Sequence, residues 1–398
     1  MRHISLKIRG SKTLWILLII LSGISILSVA TSVGYTAVAH GHAPLMEGMK
    51  HIGIIVVAYV AAFVMSNIRY EVLHAAAGWL LLATIVLLVY VAFFTVKHRW
   101  IDIGINIQPS EIAKLTLTIF IARELERKKE TLDSWETFVM MLLYVAVVMG
   151  LEARGNLSTA ILTGVATMLL MLFGGVNFKH WIIVAVMATV IGIAGLLYLS
   201  EHPEINIGRS LTWGHRMDSF INEDHDALTQ ENMAKMAIAR GELLGEGPGK
   251  TVHARLMTES ENDFIYAIII EEYGMVGGLI VLMIYGMMYF RCIMIARRCE
   301  GRRFATLLVI GIGTVIYIQA LVNMGVAVGV LPVTGQTLPF ISKGGSSYVI
   351  LGCGIGIIQS VASDNKRREK EKKNEEAKGE TAPEPKGEMR RPEPIIVG

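Results

Sequence analysis

Asp263 closes a polar stretch, Thr258-Glu-Ser-Glu-Asn-Asp263, and opens a strongly apolar one that begins Phe-Ile-Tyr. A carboxylate at such a junction can do two things. It can cap a helix by accepting backbone N–H bonds at its start. It can also stand at a membrane surface beside an outer cavity and take a proton from a hydroxyl nucleophile. The two are compatible, since one carboxylate oxygen can cap while the other acts.

Other blocks carry further candidate groups. In Gly241-Glu-Leu-Leu-Gly245-Glu-Gly247-Pro-Gly249-Lys250 the glycines either let backbone N–H groups converge on an anion, with Lys250 adding charge, or form a flexible turn. A diphosphate is the candidate guest. The block lacks the strand and helix that a nucleotide-binding glycine motif requires. Between Gly329 and Ser347 the chain is too polar and too rich in glycine and proline to span a membrane. Irregular backbone at membrane depth is tolerated only where it is buried in protein or lines a cavity, so this block reads as a re-entrant cavity wall. Its Lys343 either meets a phosphate as a point charge or snorkels to the interface. Ser342, Ser346 and Ser347 are candidate substrate contacts beside it. In Gln108-Pro-Ser-Glu111-Ile-Ala-Lys114, Pro109 suits a first helical turn, and Glu111 and Lys114 then share a face at i, i+3. Ionisable groups inside a span are costly and mark function by default. The pair is therefore either a structural lock or part of a substrate site. Glu152 and Arg154 likewise form a local pair or face the cavity.

The elements that must position these groups follow from hydropathy. The chain has 398 residues, 53% hydrophobic and only 18% charged, with a mean hydropathy of +0.51. A soluble domain of this length carries nearer a quarter of charged residues. The apolar residues gather in runs of about 18 or more, the length that crosses a bilayer. The expected fold is an all-α polytopic membrane protein of about ten transmembrane helices. They fall near 14–36, 51–66, 73–96, 110–123, 137–150, 157–176, 181–199, 264–290, 304–324 and 345–362. The fourth and fifth are short, as in tilted or broken helices. A long extracytoplasmic loop, 200–262, separates spans seven and eight and holds Trp213, Arg216, Asp218, Gln230 and Lys235. Loops beyond about 15 residues are usually functional or disordered, and the glycines and aromatics of this one favour a folded functional loop.

Basic residues in the short loops set the orientation. Arg69, Arg123, Arg127, Lys128, Lys129, Lys179, Arg291, Arg297, Arg298, Arg302 and Arg303 all fall on the side of residues 1–13. Both termini are therefore expected in the cytoplasm, with the ten-span domain 14–362 in a bacterial inner membrane. The N-terminal Arg2, Lys7, Arg9 and Lys12 resemble a signal-peptide start, read as leading into an uncleaved first span. Residues 363–398, rich in Lys, Glu and Pro, are expected to be a disordered cytoplasmic tail.

The formal net charge of +3 sits in loops and tail, so it speaks to topology and not to a nucleic-acid partner. Three cysteines, Cys292, Cys299 and Cys353, give no disulfide framework and no zinc site. The S-x-x-K match at Ser363–Lys366 lies in the tail, which excludes a serine transpeptidase.

At these blocks the sequence resembles the SEDS family (shape, elongation, division and sporulation), and within it the FtsW branch. The resembling features are Q-P-S-E-x-x-K at Gln108–Lys114, the glycine-rich segment, D-F-I-x-A-x-x-x-E-E-x-G at Asp263–Gly274, and L-P-F-I-S-x-G-G-S-S at Leu338–Ser347. They cover about residues 10–362. Three positions depart. Arg154-Gly-Asn156-Leu-Ser158-Thr159 stands where the family often has P-D-x-G-T, Glu261-Asn262 replaces His-Thr, and Lys343 replaces a frequent Tyr.

The resemblance implies a peptidoglycan glycosyltransferase that polymerises lipid II at the outer face of the membrane and releases undecaprenyl diphosphate. The family's essential acid maps onto Asp263. The implied partner is a class B penicillin-binding protein, alongside other division or elongation proteins. The acceptor's sugar hydroxyl loses a proton as it attacks the donor's anomeric carbon, and Asp263 would take it. Lys343, Lys250 and Arg216, or a divalent cation such as magnesium or manganese, would stabilise the departing diphosphate. No organic cofactor is expected. The alternatives are a flippase for the same lipid, which would carry polar residues through its inner half, and a non-catalytic division scaffold.

Overall fold

The computed structural model describes residues 9–39, 44–95, 101–102, 106–184, 230–253, 257 and 261–380. The chain is all-α. Its longer helices are α1 (Lys12–Ala39), α2 (Pro44–Asn67), α3 (Tyr70–Phe94), α4 (Pro109–Arg127), α5 (Trp135–Gly155), α6 (Leu157–Phe173), α7 (Gln230–Gly241), α8 (Ile265–Arg297), α9 (Arg303–Ala327) and α10 (Ser346–Glu380). Seven of these, α1, α2, α3, α5, α8, α9 and α10, are long and apolar enough to cross a membrane. A two-residue antiparallel pairing joins Ile101–Asp102 to Asn106–Ile107 between α3 and α4.

The expected fourth span is a full helix of 19 residues, buried along most of its length against α3, α6 and α9. Its low hydropathy has a physical reason. A helix screened from lipid by its neighbours needs no continuous apolar surface, so α4 carries Glu111, Lys114, Arg123, Glu124, Glu126 and Arg127. The fifth span is likewise a full helix of 21 residues. Only the start of the seventh, 178–184, is described, as a helix. The rest of that span and the loop to 229, with Trp213, Arg216 and Asp218, lie outside the described residues. The expected outer loop does contain a helix, α7, which packs on α8.

Two expectations need correction. The eighth span is not continuous. Gly274 breaks α8 with φ 71 and ψ −177, a conformation open essentially to glycine alone. The tail is not disordered from its start, because α10 runs on through Glu380. Its charges alternate at helical spacing. Asp364 meets Arg367 at 2.6 Å and Arg368 at 2.8 Å, Lys373 pairs with Glu369, and Lys366 reaches back to the Gly10 carbonyl. Such i, i+3 and i, i+4 pairs each support a solvated helix modestly. Residues 381–398 lie outside the described residues.

The end of the bundle that bears the basic loops is tied by ion pairs and reciprocal bonds. Arg302 donates to Asp364 at 2.6 Å. Ser11 and Gln359 exchange bonds at 2.6 and 3.1 Å, which fixes the start of α1 to α10.

Candidate active site

At the opposite end, the block between α9 and α10 folds back into the bundle. Tyr285 of α8 donates to the Pro339 carbonyl, Tyr348 to that of Phe340 at 2.7 Å, and Ser25 of α1 to that of Ile341 at 2.7 Å. Leu338, Phe340 and Ile341 are buried. The block thus folds back among the helices, as expected of a re-entrant wall, and these bonds to protein satisfy its irregular backbone.

The wall is stapled to the segment that leads into Asp263. Ser342 Oγ accepts from the Leu338 N–H at 2.8 Å and donates to the Asn262 carbonyl at 2.5 Å. Lys343 N–H donates to the Glu261 carbonyl at 2.9 Å. The Lys343 ammonium lies 3.3 Å from Glu47 of α2 and 3.6 Å from Glu261. It thus bridges two carboxylates. Ser346 Oγ accepts from the Gln108 N–H at 3.1 Å, which anchors the start of α4, and Ser347 is buried next to it.

Asp263 itself is half-buried. The cap position of α8 falls on Phe264, whose side chain makes no cap bond, so Asp263 stands one residue before the cap. Its backbone carbonyl accepts from Asn323 Nδ2 at 2.9 Å. The same amide donates to the Gln336 carbonyl at 2.7 Å, and Gln336 Nε2 donates to Thr159 Oγ1 at 2.7 Å. The carboxylate faces a small space at Gly335. A Cβ built there would lie 3.6 Å from Asp263 Oδ2 and 3.9 Å from Asn156 Nδ2. Asn156 caps α6 through its Oδ1, which accepts from the N–H groups of Ser158 and Thr159 at 3.0 and 3.4 Å. Its Nδ2 lies at the same space as the Asp263 carboxylate. An acid at this position would cap equally well but would set a second negative charge beside the first.

One helical turn before Asn323, Gln319 continues the polar column. It donates to the Thr337 carbonyl at 3.1 Å and accepts from Lys114 at 2.7 Å. Lys114 also pairs with Glu111 at 2.7 Å, and the two are 2% and 4% exposed. They border a narrow crevice whose other walls include Leu115, Ile312 and Ile316. The sequence reading brought together Asp263, Lys343 and the serines, and separately Glu111 with Lys114. It missed the amides Asn323, Gln336 and Gln319 that join them. Gln319 and Asn323, four residues apart in an apolar run, were the available signal.

The glycine-rich block does something else. It fills the break in α8. Glu246 and Gly247 donate to the carbonyls of Glu271 and Glu272, both at 3.0 Å, and Met275 donates to that of Glu242 at 2.9 Å. A Cβ on Gly245 or Gly274 would overlap the facing backbone. Gly249 N–H donates to the Glu272 carboxylate at 3.0 Å. Glu271, fully buried, accepts from Thr251 and from the Val252 N–H, and lies 2.9 Å from His253 Nδ1. The backbone donors offered to an external anion are bonded to α8 instead, so the block is a latch and not a flexible turn. Lys250 stands exposed on it.

Residues 11–367 match the cell cycle protein family of FtsW, RodA and SpoVE. The chain belongs to this family. It is 34% identical over 269 residues to a probable peptidoglycan glycosyltransferase FtsW of Aliivibrio salmonicida, a match that spans 65% of this chain and 64% of that protein. It is 29% identical over 328 residues to the peptidoglycan glycosyltransferase MrdB of Escherichia coli K12, covering 80% of this chain and 86% of that one. Its fold is shared with a chain of a peptidoglycan synthase complex that coordinates polymerization and crosslinking. The TM-score is 0.71 at 22% identity, over 89% of this chain and 98% of the other. Within the family frame, Asp263, the re-entrant wall and the Glu111–Lys114 pair form one polar column at one end of the bundle.

Proposed function

We propose that the protein is a peptidoglycan glycosyltransferase that polymerises lipid II at the outer face of the cytoplasmic membrane, with Asp263 as the base. The reading rests on one observation above others. The Asp263 carboxylate and the Asn156 amide face the same space at Gly335, beside a re-entrant wall built to hold irregular backbone at membrane depth. A sugar hydroxyl entering that space would give its proton to Asp263 as it attacks the anomeric carbon of the donor. The diphosphate leaves on the other side of that carbon, and positive charge lowers the cost of its departure. Lys343 is a candidate for that charge, with the diphosphate replacing one of its two carboxylate partners. Lys250 and Arg216 are the further candidates. A divalent cation, magnesium or manganese, would neutralise the diphosphate in the same way. Among the described residues no three His, Cys, Asp or Glu side chains converge on a metal position, so such an ion would rest mainly on the diphosphate oxygens.

A class B penicillin-binding protein is the proposed partner, and cell division the proposed setting, on the strength of the glycine-rich resemblance to the FtsW branch. Purified protein with its cognate partner, fluorescent lipid II and a divalent cation should yield glycan ladders on a gel. No ladders from a verified complex would favour a flippase or a scaffold.

A further inference from the structure

We propose that Ser25 of α1 and His51 of α2 are positioning residues for Asp263, holding the re-entrant wall in a strained shape that sets the place of the base. The proposal rests on the glycosyltransferase reading and adds to it two residues that act through the wall.

The strain is at Phe340, whose φ is 60. That left-handed conformation is uncommon for a bulky side chain and persists only where the surroundings over-determine it. Here they do. Three consecutive carbonyls, those of Pro339, Phe340 and Ile341, each accept a hydroxyl, from Tyr285 of α8, Tyr348 of α10 and Ser25 of α1. The Phe340 ring is buried and meets that of Tyr348 edge-on, with 5.6 Å between centroids.

His51 fixes the Ser25 bond from behind. Both side chains are buried. Ser25 Oγ lies 2.8 Å from His51 Nε2 and donates its one proton to the Ile341 carbonyl at 2.7 Å. Nε2 must therefore carry a hydrogen and donate to Oγ. A hydroxyl otherwise free to rotate is held in one direction, and each bond of such a chain strengthens the next. Glu47 lies four residues before His51, on the same face of α2, and its carboxylate is 3.3 Å from the Lys343 ammonium. α2 thus reaches the wall at two points, Lys343 directly and Ile341 through Ser25. From the same stretch of wall, Ser342 Oγ donates to the Asn262 carbonyl and Lys343 N–H to that of Glu261. Asn262 directly precedes Asp263, so a shift at Ile341 passes to the base through one residue and one hydrogen bond. Misplacing a reacting group by about 1 Å can cost about a hundredfold in rate.

A purely structural bond of the same kind supplies the control. Ser360 Oγ donates to the Ile68 carbonyl at 2.5 Å, at the basic end of the bundle. The full-length protein with its class B partner, in lipid nanodiscs, would be compared as wild type, Ser25→Ala, His51→Leu, their double variant, His51→Gln and Ser360→Ala. Ser25→Ala should lower kcat for lipid II about tenfold with KM within about twofold, the mark of a misplaced base and not of weaker binding. His51→Leu should do the same, and the double variant should be no worse than either, because both cut one chain. His51→Gln should keep kcat within about threefold of wild type, since its amide can donate from the same place. Ser360→Ala should leave kcat and KM unchanged. Hydrogen exchange over 338–343 should quicken in Ser25→Ala and His51→Leu but not in Ser360→Ala. A kcat for Ser25→Ala no lower than that of Ser360→Ala would overturn the proposal. So would multiplied losses in the double variant, or equal losses in His51→Gln and His51→Leu. If the wild type makes no glycan, the enzymatic reading fails separately. Exchange then decides whether the pair holds the wall, and an unchanged rate in Ser25→Ala counts against it.

Discussion

The two ends of the bundle handle polar groups differently. At the basic end, charge meets charge. Asp364 receives guanidinium bonds from Arg302, Arg367 and Arg368, and Gln359 exchanges two bonds with Ser11. At the Asp263 end, ion pairs occur too, Lys343 with Glu47 and Glu261 and Lys114 with Glu111, but amides hold the backbone. Asn323, Gln336 and Gln319 tie the re-entrant wall to α6 and α8. An end that only joins helices can set charge against charge throughout, whereas an end that receives a polar ligand can use amides to hold backbone without adding charge.

Four substitutions test that contrast, in order of expected effect. Lys114→Met would strand Glu111 without its counter-charge and should cost about 3–5 kcal/mol in thermal unfolding. The double variant with Glu111→Gln should recover most of this, and a single-variant loss under about 1 kcal/mol would show that the pair is not a structural part of the column. Gly274→Ala should cost about 1–3 kcal/mol from backbone strain alone. It should also open the latch, seen as faster hydrogen exchange at Gly247 and Met275, and unchanged exchange would remove the latch from the account. Asn156→Asp places a carboxylate beside Asp263 and disfavours ionisation of the pair. The base must be ionised to act, so the acidic limb of the pH–rate profile should move up by about one unit and activity at neutral pH should fall, then recover in alkali. An unmoved profile would separate Asn156 from the base. Asp364→Ala at the opposite end should cost about 1 kcal/mol or less, with polymerisation unchanged, and a loss of activity there would dissolve the contrast.

Much of the fold was legible because long apolar runs have few alternatives in a chain of this composition. Where reading failed, the cause was local. Hydropathy is blind to a single backbone conformation, so the break at Gly274 passed unseen inside a run that looks continuous. The glycine block looked like an anion cradle because its N–H groups are indeed presented together. Nothing in the sequence says that the carbonyls of Glu271 and Glu272 take them. The charged tail looked unable to fold because it has no core to bury, yet i, i+4 pairing and its continuity with buried α10 carry it on as helix to Glu380. At the site, Asp263 stood out by its position between a polar and an apolar stretch. For Glu152 the sequence left two readings open, a pair with Arg154 or a face to the cavity, and only three-dimensional packing turns that arginine onto Phe93.

The most direct test of the central claim compares Asp263→Asn with Asp364→Ala and wild type, each in complex with a class B partner and supplied with fluorescent lipid II. The account predicts glycan ladders from wild type and Asp364→Ala, none from Asp263→Asn, and equal thermal midpoints for Asp263→Asn and wild type. Ladders of normal length and rate from Asp263→Asn would contradict it and remove the carboxylate from the chemistry.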